Sequence, residues 1–205
     1  MQKLDSIRRS NSISKYFADL YYKTTKNAFD FFLHSDEMTQ AFMEKFEKRF
    51  GNFFFNAANS YKAGTEISIA WNAYYKDSSL SQAQYFLLGA NAHINGDIWQ
   101  SLTTEFSLQE IKDNKKSYFR FYKELKKIYS YVYKETLASS GRLRFLHHLT
   151  LGFDKLYGKI MLYKWRRRQM KLAVLFFTHP GQFKQELHKV RKKMNKMDKM
   201  IMQLI

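Results

Sequence analysis

The sequence contains no cysteine and a single proline, Pro180, among its 205 residues. Without cysteine the chain forms no disulfide, has no thiol nucleophile and offers no thiolate to a metal. Only eight glycines are present, which is little material for the many tight turns of a β-sandwich or barrel. The longest strictly apolar run, Leu172–Phe177, is far shorter than the roughly 20 residues that a membrane-spanning helix needs.

The N-terminus also lacks the continuous apolar stretch of a signal peptide. We therefore expect a soluble, cytoplasmic protein without a transmembrane segment. Association with the periphery of a membrane stays open as an alternative.

Apolar residues recur at helical spacing along most of the chain, and no useful strand alternation is present. Start and stop signals divide this pattern: Ser107 and Glu110 form a capping box, Gly64 is a helix end, and a break is expected at residues 139–141. The sequence predicts an all-α fold, a multi-helix bundle of six to eight helices.

The sequence His179-Pro180-Gly181 is the clearest stop signal and separates the last helix from the rest. We predict a single helical domain at residues 1–178 and an amphipathic C-terminal helix at residues 182–205. That helix either packs on the domain or projects from it. Its apolar stripe could also form a homodimer with a second copy.

The net charge of +17 lies in one half of the chain. Residues 1–110 hold 11 Lys and Arg against 12 Asp and Glu, whereas residues 111–205 hold 24 against 6. The triplet Arg166-Arg167-Arg168 stands out within this basic half and is predicted to bind an anion. The excess indicates an anionic partner, either an acidic membrane surface or nucleic acid, although no named DNA-binding motif is present.

The stretch LLGANAHINGDIWQSL, residues 87–102, combines an apolar helical pattern with four polar side chains within the seven residues 91–97. These are Asn91, His93, Asn95 and Asp97. Because His93 and Asp97 are four residues apart, a helix brings their Cβ atoms to about 5–6 Å from each other. Three interpretations stay open: a structural polar network, a shared metal site, or a general base oriented by a carboxylate.

The residues Gly89 to Ile98, GANAHINGDI, carry a resemblance to a family of uncharacterised, mostly bacterial proteins with the hallmark GxNAHINxDL. Trp71 precedes the hallmark as a tryptophan does in that family, so Trp71, Asn91 and Asn95 are candidate binding residues. The resemblance covers roughly residues 15–175. It implies an α-helical fold and no particular reaction.

The stretch H93-I-N-G-D97-I-W-Q also resembles the H-x-x-G-D-[IL]-x-Q helix of zinc-dependent phospholipases C and related nucleases. The resemblance implies a hydrolase in which His93 and Asp97 are catalytic and bind a divalent metal such as zinc. This chain departs from the motif at Thr103, where that family has a zinc-binding histidine, and at Ser101, where it has proline. These departures argue against a trinuclear zinc cluster.

Further metal ligands would have to come from elsewhere in the chain, and the candidates are Asp30, His34, Glu66, His147 and His148. Their spacing does not tie any of them to His93. Two hypotheses follow. The first is a His/Asp-centred, metal-dependent hydrolase acting on a phosphoester or lipid-like substrate. The second is a non-enzymatic helical module whose basic C-terminal half contacts an anionic partner.

Overall fold

The computed structural model describes residues 1–138, 141, 144 and 153–203. Within these ranges the side chains of residues 27, 28, 30, 124, 126–128, 131, 132, 135–137 and 153–157 lie outside the description. All regular secondary structure in the described residues is helical, which confirms the all-α prediction. If residues 69–75 and 82–105 are each counted as one helix, eight helices of at least seven residues are described, in agreement with the predicted six to eight.

Three helices form the N-terminal part of the bundle: α1 (Gln2–Arg8), α2 (Ser14–Leu33) and α3 (Glu37–Ala63). The side chain of Asp36 caps α3 by accepting a hydrogen bond from the backbone N–H of Thr39. Gly64 ends α3 with φ of 66°, a left-handed conformation that glycine adopts at little cost.

The middle of the chain is built from short elements around one longer helix. In order they are a 3₁₀ turn (Ile69–Trp71), α4 (Asn72–Tyr75), α5 (Gln82–Ala92), a π-helical turn (His93–Asp97), α6 (Ile98–Glu105) and α7 (Leu108–Asp113). Ser81 and Ser107 each form a complete capping box, with Gln84 and Glu110 respectively.

Three long helices complete the described chain: α8 (Lys115–Ala138), α9 (Phe153–Thr178) and α10 (Pro180–Gln203). Helix α10 begins two residues earlier than predicted, because proline fits the first helical position, where its missing N–H costs nothing. The predicted break at residues 139–141 falls mostly outside the described residues.

The continuous helix Gln82–Glu105 lies in the centre of the bundle, where α2, α3, α9 and α10 pack against its segments. The core around it is largely aromatic. Its fully buried large side chains include Phe46, Phe54, Trp71, Tyr74, Tyr85, Tyr118 and Phe121. Each of these large rings buries much apolar surface in the core. The rings contact each other mainly edge to face or at a tilt.

Helix α10 lies along α5 and the π-helical turn. Its side chains Val190, Met194 and Ile201 are buried, and Gln84 of α5 donates hydrogen bonds to the backbone carbonyls of Ile201 and Met202. The apolar stripe of the C-terminal helix is therefore occupied within the chain itself. Pairing with a second copy stays a prediction.

Candidate functional site

The polar hallmark residues lie where the central helix changes from α to π geometry. A π-helical turn holds one residue more than an α-helical turn. Such turns occur mostly as single turns inside α-helices, and they are frequent at functional sites. Here it spans His93–Asp97, and it lies between α5 and α6 without a break in the helix. The polar side chains of this stretch belong to two separate networks.

The first network joins His93, Asp97 and Trp71. Nδ1 of His93 lies 2.8 Å from Oδ2 of Asp97, and the indole N–H of Trp71 donates to the same oxygen at 3.0 Å. All three side chains are buried, with His93 exposing 4% of its surface. The structure thus brings together both predicted catalytic residues and the predicted tryptophan.

Aromatic rings enclose the imidazole of His93. The ring of Phe50 stacks on it with centroids 3.4 Å apart, and Tyr21 and Phe17 meet it edge-on at 4.7 and 5.3 Å. His93 therefore lies in closed aromatic packing, and its stacked face is not accessible to a substrate.

Burial controls the protonation of this pair. It lowers the pKa of His93 well below 6.5, and the positive charge of Arg166 lowers it further. Burial raises the pKa of Asp97 well above its usual value, against the opposing effect of the Trp71 hydrogen bond. Both groups therefore favour their neutral forms. A hydrogen bond between neutral groups is less costly to bury than an isolated ion.

The second network connects three helices through Asn91 and Asn95. The amide of Asn91 donates to the carbonyl of Met194 at 3.1 Å and to Oδ1 of Asp198 at 2.7 Å. Asn95 donates to Oδ1 of Asn91 at 2.8 Å, and Gln169 of α9 donates to Oδ1 of Asn95 at 3.5 Å. The two asparagines therefore fasten α10 and α9 to the central helix. Burial raises the pKa of Asp198 to about 6.

A third polar group is connected to the His93 ring through Tyr21. The hydroxyl of Tyr21, whose ring contacts His93, donates to Oε2 of Glu47 at 3.4 Å. Burial raises the pKa of the half-buried Glu47 to about 7, although the charge of Arg166 opposes this shift. Arg166 is itself buried, and its guanidinium lies over the rings of Tyr118 and Phe121 at 4.8 and 5.5 Å.

Several buried polar atoms of these networks have no hydrogen-bond partner within the described residues. They are Nε2 of His93, Oδ1 of Asp97, Nε and Nη2 of Arg166, and Oε1 of Gln169. Buried polar atoms are usually paired, so such a concentration in one region is unusual. Nε2 is the ring nitrogen of His93 that remains available for proton transfer.

The ligand set for a metal is small. No group of three or more His, Cys, Asp or Glu side chains in a metal-binding arrangement exists among the side chains that the structure describes. His93 and Asp97 provide two ligands, and Nδ1 of His93 already contacts Asp97. Glu66 is exposed and lies in the segment before the 3₁₀ turn, whereas His93 and Asp97 are buried. The side chains of Asp30, His147 and His148 lie outside the described residues.

The arginine triplet is divided by the packing of α9. Arg166 is buried, Arg167 is exposed and Arg168 is half-exposed, so only the last two can meet a partner at the surface. Sequence reasoning missed Glu47, Tyr21, Gln169 and Asp198 as members of the polar networks. A signal existed for Gln169, because residues 166, 169, 170 and 173 share one stripe of α9 on which Met170 and Ala173 are buried.

Comparison with known proteins gives one match. The model of a family described as "Family of unknown function (DUF5995)" matches residues 1–205. No curated protein and no solved structure matches the chain.

Proposed function

For this chain, which belongs to the DUF5995 family of unknown function, we propose a non-enzymatic role as a helical module that docks on an acidic lipid surface. The docking element is the hairpin of α9 and α10. One observation supports the proposal above all: two exposed phenylalanines occupy the last turn of α9 beside the start of α10, and the outer surfaces of both helices are rich in lysine and arginine.

Most of the cations of α10 lie on the side that faces away from the core. Val190, Met194 and Ile201 are buried, whereas the exposed cations of this helix are Lys184, Lys189, Arg191, Lys192, Lys193, Lys196 and Lys199. Lysines near an anionic membrane each contribute about 1 kcal/mol of attraction. A row of them on one helix is therefore sufficient for salt-dependent association.

The basic residues of α9 join the same surface. The carboxylate of Glu186 on α10 accepts a hydrogen bond from Lys189, and this bond lowers its pKa. The charges of Lys171 and Arg168, both on α9, lower it further, which places these two cations near Glu186. The two helices thus present one basic surface, to which Glu186 adds a negative charge.

The end of α9 next to the hairpin turn supplies the apolar part of the surface. Phe176 and Phe177 in the last turn of α9 expose 41% and 39% of their surface, and residues 178–181, of which 179 lies between the two helices, are also exposed. The ring of Phe176 meets Phe183 at 5.3 Å, and Phe183 in turn contacts Trp99. At the interface between lipid headgroups and acyl chains, exposed aromatic rings can contact the acyl chains while neighbouring lysines contact the anionic headgroups.

Docking on one face of the bilayer is the mode that fits these helices. Among the described residues, no helix combines the length and the apolar character required to cross a membrane. Binding would then depend on shallow insertion of the two phenylalanines and on attraction between lysines and anionic lipids. The attraction between charges should weaken when salt is added.

Sedimentation with vesicles tests the proposal. Vesicles of phosphatidylcholine alone are compared with vesicles that also contain phosphatidylserine, at low and high salt. Wild-type protein should sediment with the acidic vesicles and be released by salt. Phe176→Ser/Phe177→Ser should weaken binding at every salt concentration. Lys192→Gln/Lys193→Gln/Lys196→Gln should remove the preference for acidic lipid.

Matched control variants keep the test specific. Phe29→Ser changes an exposed phenylalanine on α2, and Lys48→Gln/Lys76→Gln/Lys112→Gln changes exposed lysines outside the hairpin. Both controls should bind as wild type does. Equal sedimentation with neutral and acidic vesicles would overturn the proposal. So would binding to duplex DNA without binding to vesicles, which would identify nucleic acid as the partner.

A hydrolase centred on His93 and Asp97 is the second candidate function. It is supported by Nε2 of His93, which has no hydrogen-bond partner among the described residues, and by the Asp97 hydrogen bond that would orient the ring as a general base. The closed packing around the ring opposes it. Protein purified without chelators should then contain a stoichiometric metal or hydrolyse aryl phosphate or carboxylate esters, and His93→Gln should abolish that property. If neither metal nor turnover is found, this candidate is wrong.

A further inference from the structure

A cavity of about 540 Å³ lies beside the hallmark, and His93 is not among the residues that line it. Its walls come from α3, from the segment before the 3₁₀ turn, from the π-helical turn with the start of α6, and from α10. Asn95 and Gly96 of the π-helical turn line it. This volume falls within the roughly 300–1,000 Å³ of small-molecule sites.

The two polar networks hold the walls of this cavity in place. Trp71 closes the segment that contains Ser68 and Ala70, and its hydrogen bond to Asp97 fixes that segment to the π-helical turn. Asn91 fixes α10 through the carbonyl of Met194, a residue that lines the cavity. The hallmark residues thus position three walls of one binding site. His93 itself does not have to contact the ligand.

The charges in the cavity belong to Glu66 and Arg191, which lie on different walls. Both side chains are exposed, and within the described residues neither forms an ion pair. The lining between the charged groups is mixed, with the ring of Trp99 and the side chains of Phe53 and Ile67 as its apolar part. A complementary ligand therefore carries one charge of each sign and a small apolar body.

We infer that this cavity binds a small zwitterion, with its ammonium group toward Glu66, its carboxylate or phosphate toward Arg191, and its apolar part against Trp99. Arg191 suits the anionic end because its guanidinium can donate two parallel hydrogen bonds to carboxylate or phosphate oxygens. Two sources have this chemistry: free amino acids, and the ethanolamine headgroup of a phospholipid. The site goes beyond the docking function, because it recognises one small zwitterionic group and not a charged surface.

Titration calorimetry with the full chain tests the inference. The probes are leucine, phenylalanine and glycerophosphoethanolamine, together with two singly charged analogues of leucine, isopentylamine and 4-methylpentanoate. At least one zwitterion should bind, and both analogues should bind more weakly because each leaves one charged wall unpaired. Arg191→Gln and Glu66→Gln should each weaken the binding of the zwitterion by about tenfold or more. This is the loss expected when a charge-assisted hydrogen bond is removed.

Control variants separate the cavity from general charge effects. Lys76→Gln and Glu44→Gln neutralise exposed residues outside the lining and outside the hairpin, and they should leave affinity unchanged. Asn56→Trp places a large ring at an exposed lining position and should abolish binding while the circular dichroism spectrum stays helical. Binding of amino acids alone would identify them as the source, and binding of glycerophosphoethanolamine alone would identify the headgroup. If no zwitterion binds, or if neither charge variant weakens binding, the inference is wrong.

Discussion

Trp71 and Asp97 are 26 positions apart in the chain and are joined by a hydrogen bond of 3.0 Å within the core. Because Trp71 is fully buried, the bond fixes the entire segment that leads to it. Asp97 in turn is held in place by His93 and by the helix on which it lies. The pair therefore determines how the loop after α3 meets the central helix.

We expect Trp71→Phe to destabilise the protein by about 1–3 kcal/mol, since it removes the donor to a buried carboxyl group and leaves part of the indole volume empty. Chemical denaturation monitored by circular dichroism measures the change. Trp99→Phe serves as the control, because Trp99 is half-buried and lies outside the hydrogen bonds of the polar centre. Equal losses for the two variants would contradict a specific role for the Trp71 donor.

Gly96 allows the segment before Trp71 to approach the π-helical turn. A methyl group built on Gly96 would overlap Cβ of Ala70. We therefore expect Gly96→Ala to cost about 1–3 kcal/mol through steric strain. The double variant Gly96→Ala/Ala70→Gly should recover part of the loss, and a double-mutant cycle measures that coupling. Strictly additive losses would show that the two residues do not interact.

The raised pKa of Glu47 predicts a pH-dependent effect on stability. Its carboxyl titrates at about 7 in the folded protein and near its usual 4.5 in the unfolded chain, so between these values the folded state binds more protons. The protonated carboxyl therefore contributes to the free energy of unfolding at low pH, and this contribution is lost as the pH rises from about 4.5 to 7.

Glu47→Gln should remove this loss. The variant should match wild type near pH 4.5 and exceed it at about pH 8, by on the order of 1–2 kcal/mol after allowance for partial solvent exposure. Urea denaturation across the pH range provides the measurement, with Glu44→Gln, an exposed glutamate on the same helix, as control. A difference between Glu47→Gln and wild type that does not change with pH would refute the assigned shift.

Asn91 should control the attachment of α10. Asn91→Leu removes the donor to Met194 and Asp198 and leaves the buried Asp198 carboxyl without this partner. We expect faster amide hydrogen exchange in residues 187–203, with a much smaller change in α2 and α3. The control Asn195→Leu alters an exposed asparagine of α10 itself. Uniform acceleration in every helix would indicate global destabilisation in place of local release.

The sequence predicted several local features of this protein. The capping box of Ser107 and Glu110 and the glycine end of α3 at Gly64 follow from residue type and spacing. The contact between His93 and Asp97 follows from their separation of four residues. Each of these depends on residues that are close in the chain, which is the information that a single sequence contains.

Long-range partners were not predictable in the same way. The carbonyl of Met194 and the carboxyl of Asp198 meet Asn91 only because α10 packs against α5. Arg166 looked like one of three surface arginines, but the packing of α9 on Tyr118 and Phe121 buries it. These contacts depend on which helix faces meet, and periodicity alone predicts the buried face of a helix but not the helix that covers it.

The π-helical turn makes the length of the hallmark as important as its composition. Removing one residue from His93–Asp97 would allow an ordinary α-helix to run from α5 into α6. Helix α6 would then rotate by about 100° relative to α5. Ile98 and Leu102, both fully buried, would turn away from the core. We therefore expect this segment to tolerate many substitutions better than any insertion or deletion.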